Sequence, residues 1–153
     1  MTKASIRSAN KKDAPAIRAV HLAAGKGPDS LERNNQSVLM WLEGRVPLDY
    51  VNEMSAEHFV VAEVAGQIVG FGALHLDKEE ITSVYVDPAF TRRGIASSLV
   101  SELEKEALCR GIPTLALQAA GGALLFYEKQ GYSYISAPVK GGPLWADMRK
   151  QLL

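Results

Sequence analysis

The chain is poor in several features that would each announce a function. It has one cysteine in 153 residues, Cys109. A lone thiol closes no intrachain disulfide and supplies no spaced set of metal ligands, which fits a reducing compartment and no metal. Its charge has no surplus of either sign: 17 Lys+Arg stand against 17 Asp+Glu. No overall field draws it to nucleic acid or to an anionic membrane, so neither is expected as a partner. No run of 18 apolar residues exists to span a bilayer. The opening MTKASIRSANKKD lacks the apolar core of a secretory signal, so the expectation is a cytoplasmic protein. There is no GxxxxGK[ST] loop and no GxGxxG after a strand, which removes the two best-known nucleotide fingerprints. Internal repeats and low-complexity segments are also missing.

What is present reads as one globular domain. Hydrophobic residues make up 47% and charged residues 22%, and a chain this long buries roughly 70% of its unfolded surface. Ser5–Ala9 alternates as a short strand. Asn10 and Asp13 are both helix starts, and Ile17, Val20 and Ala24 form an apolar stripe at helical spacing. Gly25 to Asn35 reads as a loop. Val38, Leu39, Trp41 and Leu42 mark a second helix, which Pro47 interrupts or restarts. His58–Val64, Ile68–Leu76 and Glu79–Val86 form a three-strand meander with turns at Gly66-Gln67 and Asp77-Lys78. A helix follows over Gly94–Arg110, with Gly111 as its stop. Thr114–Ala119 reads as a central strand, Gly121–Gln130 as a short helix, and Tyr132–Ser136 and Leu144–Met148 as closing strands. The sum is a mixed α/β (α+β) fold with a mostly antiparallel sheet of about seven strands.

The stretch VYVDPAFTRRGIASSLV, Val84 to Val100, carries the strongest chemical signal. A β-branched strand ends at Asp87-Pro88. Two arginines and a glycine then lead into an apolar-periodic helix. A helix N-terminus offers unpaired N–H groups and partial positive charge. Gly94 lets a ligand approach the backbone, and Arg92 and Arg93 suit phosphate. The combination is a cradle for a diphosphate. The plainer reading is a common strand–turn–helix junction with solvated arginines.

Val84-Tyr85-Val86, then Arg92-Arg93-Gly94-Ile95-Ala96, then Phe126-Tyr127-Glu128-Lys129-Gln130-Gly131-Tyr132 occur in that order. This arrangement resembles the GNAT superfamily of N-acetyltransferases over essentially the whole chain. The family's cofactor loop reads Gln/Arg-x-x-Gly-x-Gly/Ala, and Thr91 departs from its first position. The resemblance implies acetyl-coenzyme A as co-substrate, its diphosphate on the loop and its pantetheine arm beside Val84, Tyr85 and Val86 like an added strand. It assigns cofactor contacts to those three residues, to Arg92, Arg93, Gly94, Ile95, Ala96 and Ser97, and to Ala123, Phe126 and Lys129. Many relatives have an asparagine where this chain has Ala120, so one contact to the pantetheine arm is lost here.

Acetyl transfer to an amine sets two proton problems. An amine of pKa about 10.4 is neutral in only about 1 molecule in 2500 near pH 7, and the departing thiolate needs a proton. By the resemblance Tyr127 is the acid; on its own sequence it is equally a core-facing aromatic. Glu80 matches the catalytic glutamate of the family's histone-modifying branch, and otherwise reads as a strand-end carboxylate. If Asp77-Lys78 is a two-residue turn, His75 lies opposite Glu80 and is an alternative base; an ordered water is a third. His21 and His58 have no partner visible in the sequence. A backbone N–H near Val86 would hold the oxyanion. Cys109 reads as a small packing residue.

Asp29, Glu32, Trp41, Tyr50, Tyr134 and Trp145 are candidates to line the entrance for a small-molecule or peptide amine, whose cation would suit aromatic faces. The expected activity is acetyl-CoA-dependent N-acetyl transfer, made directly in a ternary complex because no nucleophile is placed to carry the acetyl group. The alternative is a non-catalytic acyl-CoA-binding or sensing module on the same fold. A homodimer is one assembly the family uses, with the terminal strands as the pairing edge.

Overall fold

The computed structural model describes residues 3–27, 35–136 and 145–153. Asp29, Glu32 and Leu144, and most of the loop between the first two helices, lie outside the described residues. Seven strands form one sheet in the order β1-β2-β3-β4-β5-β7-β6. They are β1 Ser5–Ser8, β2 Glu57–Val64, β3 Gln67–His75, β4 Glu80–Val86, β5 Thr114–Ala120, β6 Ser133–Tyr134 and β7 Trp145–Gln151. The helices are α1 Ala14–Gly25, α2 Gln36–Gly44, α3 Pro47–Glu53, α4 Ile95–Cys109 and α5 Gly122–Lys129. Every pairing is antiparallel except β4 with β5. The mixed, mostly antiparallel sheet is the one the sequence implies.

Local chemistry sets most boundaries. Asn10 and Asp13 both act: they form a capping box around a single 3-10 turn, Lys11–Asp13, and α1 begins just after it. Arg7 donates to Asp13 (2.8 Å) and to Glu63 (2.7 Å), tying this start to β1 and β2. That guanidinium holds the Asp13 carboxyl below its usual range. Pro47 restarts a helix instead of kinking one, because it occupies the first helical turn of α3.

Three expected details differ. The β2–β3 turn is centred on Ala65-Gly66, one residue earlier than Gly66-Gln67, with φ of 50° and 81°. Two left-handed residues match the twist of a two-residue hairpin, and Gly66 carries the second without strain. β6 is only Ser133–Tyr134, while β7 runs on to Gln151. Cys109 is exposed at the end of α4 and does not pack.

The two faces of the sheet bury different partners. In β3, Gly70 and Gly72 face α4. A Cβ on Gly72 would lie 3.0 Å from Leu103 Cδ1 and 3.3 Å from the Ser83 carbonyl. These glycines let α4 sink onto the sheet, where Leu99, Val100 and Leu103 are fully buried. Each such side chain contributes roughly 1.5–3 kcal/mol. On the other face Phe71 and Ala73 pack with Ala14, Ile17, Val20 and Tyr50 from α1 and α3.

Gly72→Ala should therefore lower stability by about 1–2 kcal/mol in urea unfolding, since the clash outweighs the entropy lost by the unfolded chain. Unchanged stability would contradict the close seat of α4.

Candidate functional site

β4 and β5 pair in parallel only at Glu80↔Ala116 and Ile81↔Leu117, and then separate. A bulge at the start of β4 accompanies the parting: the β3–β4 register shifts between Ala73↔Ser83 and Leu74↔Ile81, leaving Thr82 as the extra residue. Asp87 donates to the Val69 carbonyl at 2.8 Å, so the amide of Asp87 points to β3. Strand amides alternate in direction, so Tyr85 faces β3 while Val84 and Val86 present N–H and C=O to the gap. Among the described residues nothing pairs with them.

At the open end of the gap the chain turns into α4. Arg92 adopts a left-handed φ of 65° and Gly94, the N-cap, one of 77°. Left-handed residues in such a run create concave sets of amides that bind anions. Among the described residues no hydrogen bond consumes the amides of residues 92–97. Gly94 is needed for its φ and not for closeness, since a Cβ there meets nothing within 4 Å. Ser97 Oγ accepts from Gln130 Nε2 at 3.1 Å, fixing the start of α4 to the end of α5.

A cleft of about 240 Å³ opens over this turn. Among the residues expected at the cofactor, Val86, Arg92, Gly94, Ile95, Ala96, Ser97 and Phe126 line it. Phe90 and Thr91 line it as well, and sequence reasoning missed both. The Thr91 hydroxyl donates to the Pro88 carbonyl (3.1 Å) and steadies the turn. Arg93 turns back over the Phe90 ring at 5.0 Å. Val84 and Tyr85 stand outside the cleft wall, as do Ala123, half-buried against the core, and Lys129, exposed at the end of α5.

Tyr127 is in the core, 8% exposed, between the rings of Phe126 (4.9 Å) and Tyr132 (5.7 Å). It is not among the cleft-lining residues. Burial raises the pKa of its phenol, so the hydroxyl keeps its proton. Glu80 lies opposite His75, as a turn at Asp77-Lys78 requires, and His75 is opposite Glu57 on β2. The row lies on the α1 face, away from α4. His75 Nδ1 accepts from the Lys78 N–H at 3.3 Å and so closes the turn. Thr82 donates to the Glu57 carboxylate.

His21 is the functional candidate whose surroundings the sequence hid. It is buried, 7% exposed, with Nδ1 2.8 Å from the Tyr50 hydroxyl. The rings of Trp41, Tyr50, Phe71 and Tyr85 surround it, Tyr85 at 4.5 Å. Burial first, and the Arg45 charge second, lower its pKa to about 4. The available signal was its place four residues after Ile17 on the apolar stripe. Trp41 and Tyr50 join this cluster, while Tyr134 and Trp145 are exposed at the far edge of the sheet. Among the described residues no group of three or more acidic, His or Cys side chains could hold a metal, and no helix is long and apolar enough to cross a membrane.

A sheet that parts beside a strand-to-helix anion cradle suits an acyl-coenzyme A donor, and comparison with known proteins places the chain among acetyltransferases. Residues 37–152 match the family model of the acetyltransferase (GNAT) domain. An acetyltransferase of Pectobacterium atrosepticum is 31% identical over 112 residues, 70% of this chain and 79% of that protein. A GCN5-related N-acetyltransferase structure from Rhodopseudomonas palustris superposes with a TM-score of 0.80 at 24% identity, covering 99% of this chain and 97% of the other. The PaiA N-acetyltransferase of Thermoplasma acidophilum, solved with coenzyme A, gives 0.80 at 21% identity, covering 97% and 99%. The chain belongs to the GNAT acetyltransferase family.

A neutral buried histidine has a consequence for stability. His21 stays unprotonated in the fold down to about pH 4, whereas in the unfolded chain it protonates near 6.5. The unfolded state then binds more protons, so stability falls as pH drops from about 6.5 to about 4, by roughly 3 kcal/mol at most. Urea unfolding at pH 7.5 and pH 4.5 should show a smaller acid loss in His21→Gln than in the parent. Equal losses would contradict the burial of a neutral imidazole.

Proposed function

We propose that the chain forms a single domain that moves an acetyl group from acetyl-coenzyme A to a primary amine, directly and within a ternary complex. One observation carries this reading: the unpaired strand edge at Val84 and Val86 leads straight to the free amides of residues 92–97. A pantetheine arm has amides that complement the first, and a diphosphate complements the second. The coenzyme A found with the related PaiA structure supports the same use here. The lone cysteine and the balanced charge support a cytoplasmic setting.

When bound, the coenzyme supplies an activated acetyl thioester. The rest falls to the protein's own residues. Amides 92–97, with Arg92 and Arg93, hold the phosphates. A backbone N–H near Val86 stabilises negative charge that develops on the acetyl oxygen, while the rest of the edge pairs with the arm. Glu80, on the opposite face, takes the proton of the amine. That deprotonation costs about 4.6 kcal/mol at neutral pH for an amine of pKa about 10.4. Tyr127 returns a proton to the departing sulfur, and its burial keeps that proton in place beforehand.

The position of Tyr127 in the core, outside the cleft wall, favours one rival: a module that binds acyl-coenzyme A without turning it over. The hydroxyl separates the two. Tyr127→Phe keeps the ring packing, so coenzyme A affinity measured by calorimetry should be unchanged while thiol release on an amine panel falls at least about tenfold. Unchanged turnover would remove Tyr127 from the mechanism. Coenzyme binding with no thiol release from any amine would put the sensing module ahead.

A further inference from the structure

Among the described residues the cluster around His21 contains two hydrogen-bond donors with nothing to donate to, one of them buried. Arg45 Nε is buried without a hydrogen-bond partner. The second donor follows from the His21–Tyr50 contact. Assigning the Tyr50 phenol as the donor to Nδ1 puts the neutral imidazole's own proton on Nε2. Nε2 has no partner among the described residues. An orphaned buried donor such as Arg45 Nε is rare in folded proteins and calls for an explanation.

The electrostatics of the cluster point the same way. The Arg45 guanidinium lies 4.9 Å from the centroid of Trp41 and 4.2 Å from that of Tyr50. One face of Trp41 and one of Tyr50, which would attract a cationic amine, are therefore already taken by a cation. Arg45 pairs with Glu53 at 2.5 Å, and Arg18 adds a second positive charge, donating to the Arg45 carbonyl at 2.6 Å. Lys26 and Glu43 pair with each other at 3.3 Å and cancel. Two arginines, one glutamate and a neutral histidine leave a surplus of one positive charge. The cluster also reaches the proposed reaction edge: Tyr85, 4.5 Å from His21, stands between Val84 and Val86 on β4.

We infer that this cluster is the docking place for a carboxylate on the acceptor, so that the acceptor is an amine of the amino-acid type and not a purely cationic amine such as a polyamine. The inference rests on the transferase reading above and adds the substrate class. His21 and Arg45 offer N–H donors to the carboxylate oxygens, and the single positive surplus matches a single negative charge. The expectation that aromatic rings receive the amine's cation is replaced: the rings hold Arg45, and Arg45 faces the acid.

The test uses the full chain saturated with coenzyme A and a panel of amino acids, each matched with the amine that lacks its carboxylate. Calorimetry should show the carboxylated member binding at least about tenfold tighter. With acetyl-coenzyme A in place, thiol release should show the same preference, mostly in KM. His21→Phe removes a donor and keeps a ring; Arg45→Lys keeps the charge and removes Nε. Both should bring the paired compounds to within about threefold of each other while coenzyme A affinity stays unchanged. Equal or tighter binding of the amines lacking a carboxylate, or a preference that survives both substitutions, would overturn the inference. So would a failure of every carboxylated compound to bind. Carboxylate-selective binding without any thiol release would support the subsite and contradict the transferase reading, so the two stand or fall separately.

Discussion

Everything proposed for this molecule depends on a pairing that β4 fails to make. A parallel neighbour should satisfy its backbone for the length of the strand. Instead β5 leaves after two residue pairs, and among the described residues Val84 and Val86 keep unpaired amides and carbonyls. Strand backbone groups need partners, and at this half-buried edge beside the cleft only water or a ligand can supply them. The fold sustains the gap from both sides. The Thr82 bulge re-aims β4, and β5 is held away by its seven-residue antiparallel pairing with β7. The energy of an unmade hydrogen-bond ladder is thereby kept available for a ligand that carries amides of its own.

The sheet then divides the labour. On one face α4 sinks onto Gly70 and Gly72, which brings its N-terminal amides beside the open edge of β4. On the other face α1, α3 and the junction of α2 with α3 bring a neutral histidine, a phenol and a guanidinium beside the stacked rings of Phe71 and Tyr85. Tyr85 and its neighbours Val84 and Val86 alternate between those faces, so one short strand addresses both. Cofactor chemistry and acceptor recognition can in this way be tuned apart, since a change around His21 does not touch the loop at residues 92–97.

The parts of this arrangement visible in the sequence are those written locally. Apolar runs marked β2, β3 and β4, Pro47 marked a break or restart that is the start of α3, and Gly94 marked the entry to α4, although its role there is a left-handed φ and not the close approach expected. The spacing from Val84 to Tyr132 was specific enough to imply the family and with it the fold. Features made by distant residues stayed hidden. Arg45 reads as a loop charge until α2 and α3 fold it onto Trp41 and Tyr50. The run Arg149-Lys150-Gln151 looks too polar for a strand, but Lys150 reaches Glu104 and the Gln130 carbonyl, and β7 continues through it. Tyr127 was legible as an aromatic on α5, while its depth below the cleft depended on Tyr132 packing from the next segment.

Amide hydrogen exchange with and without coenzyme A examines the unmade pairing directly. The account predicts that Val84 and Val86 and the amides of residues 92–97 exchange readily in the free protein and become protected together when the coenzyme binds. Coenzyme binding that leaves those amides unprotected, with protection arising elsewhere, would contradict it.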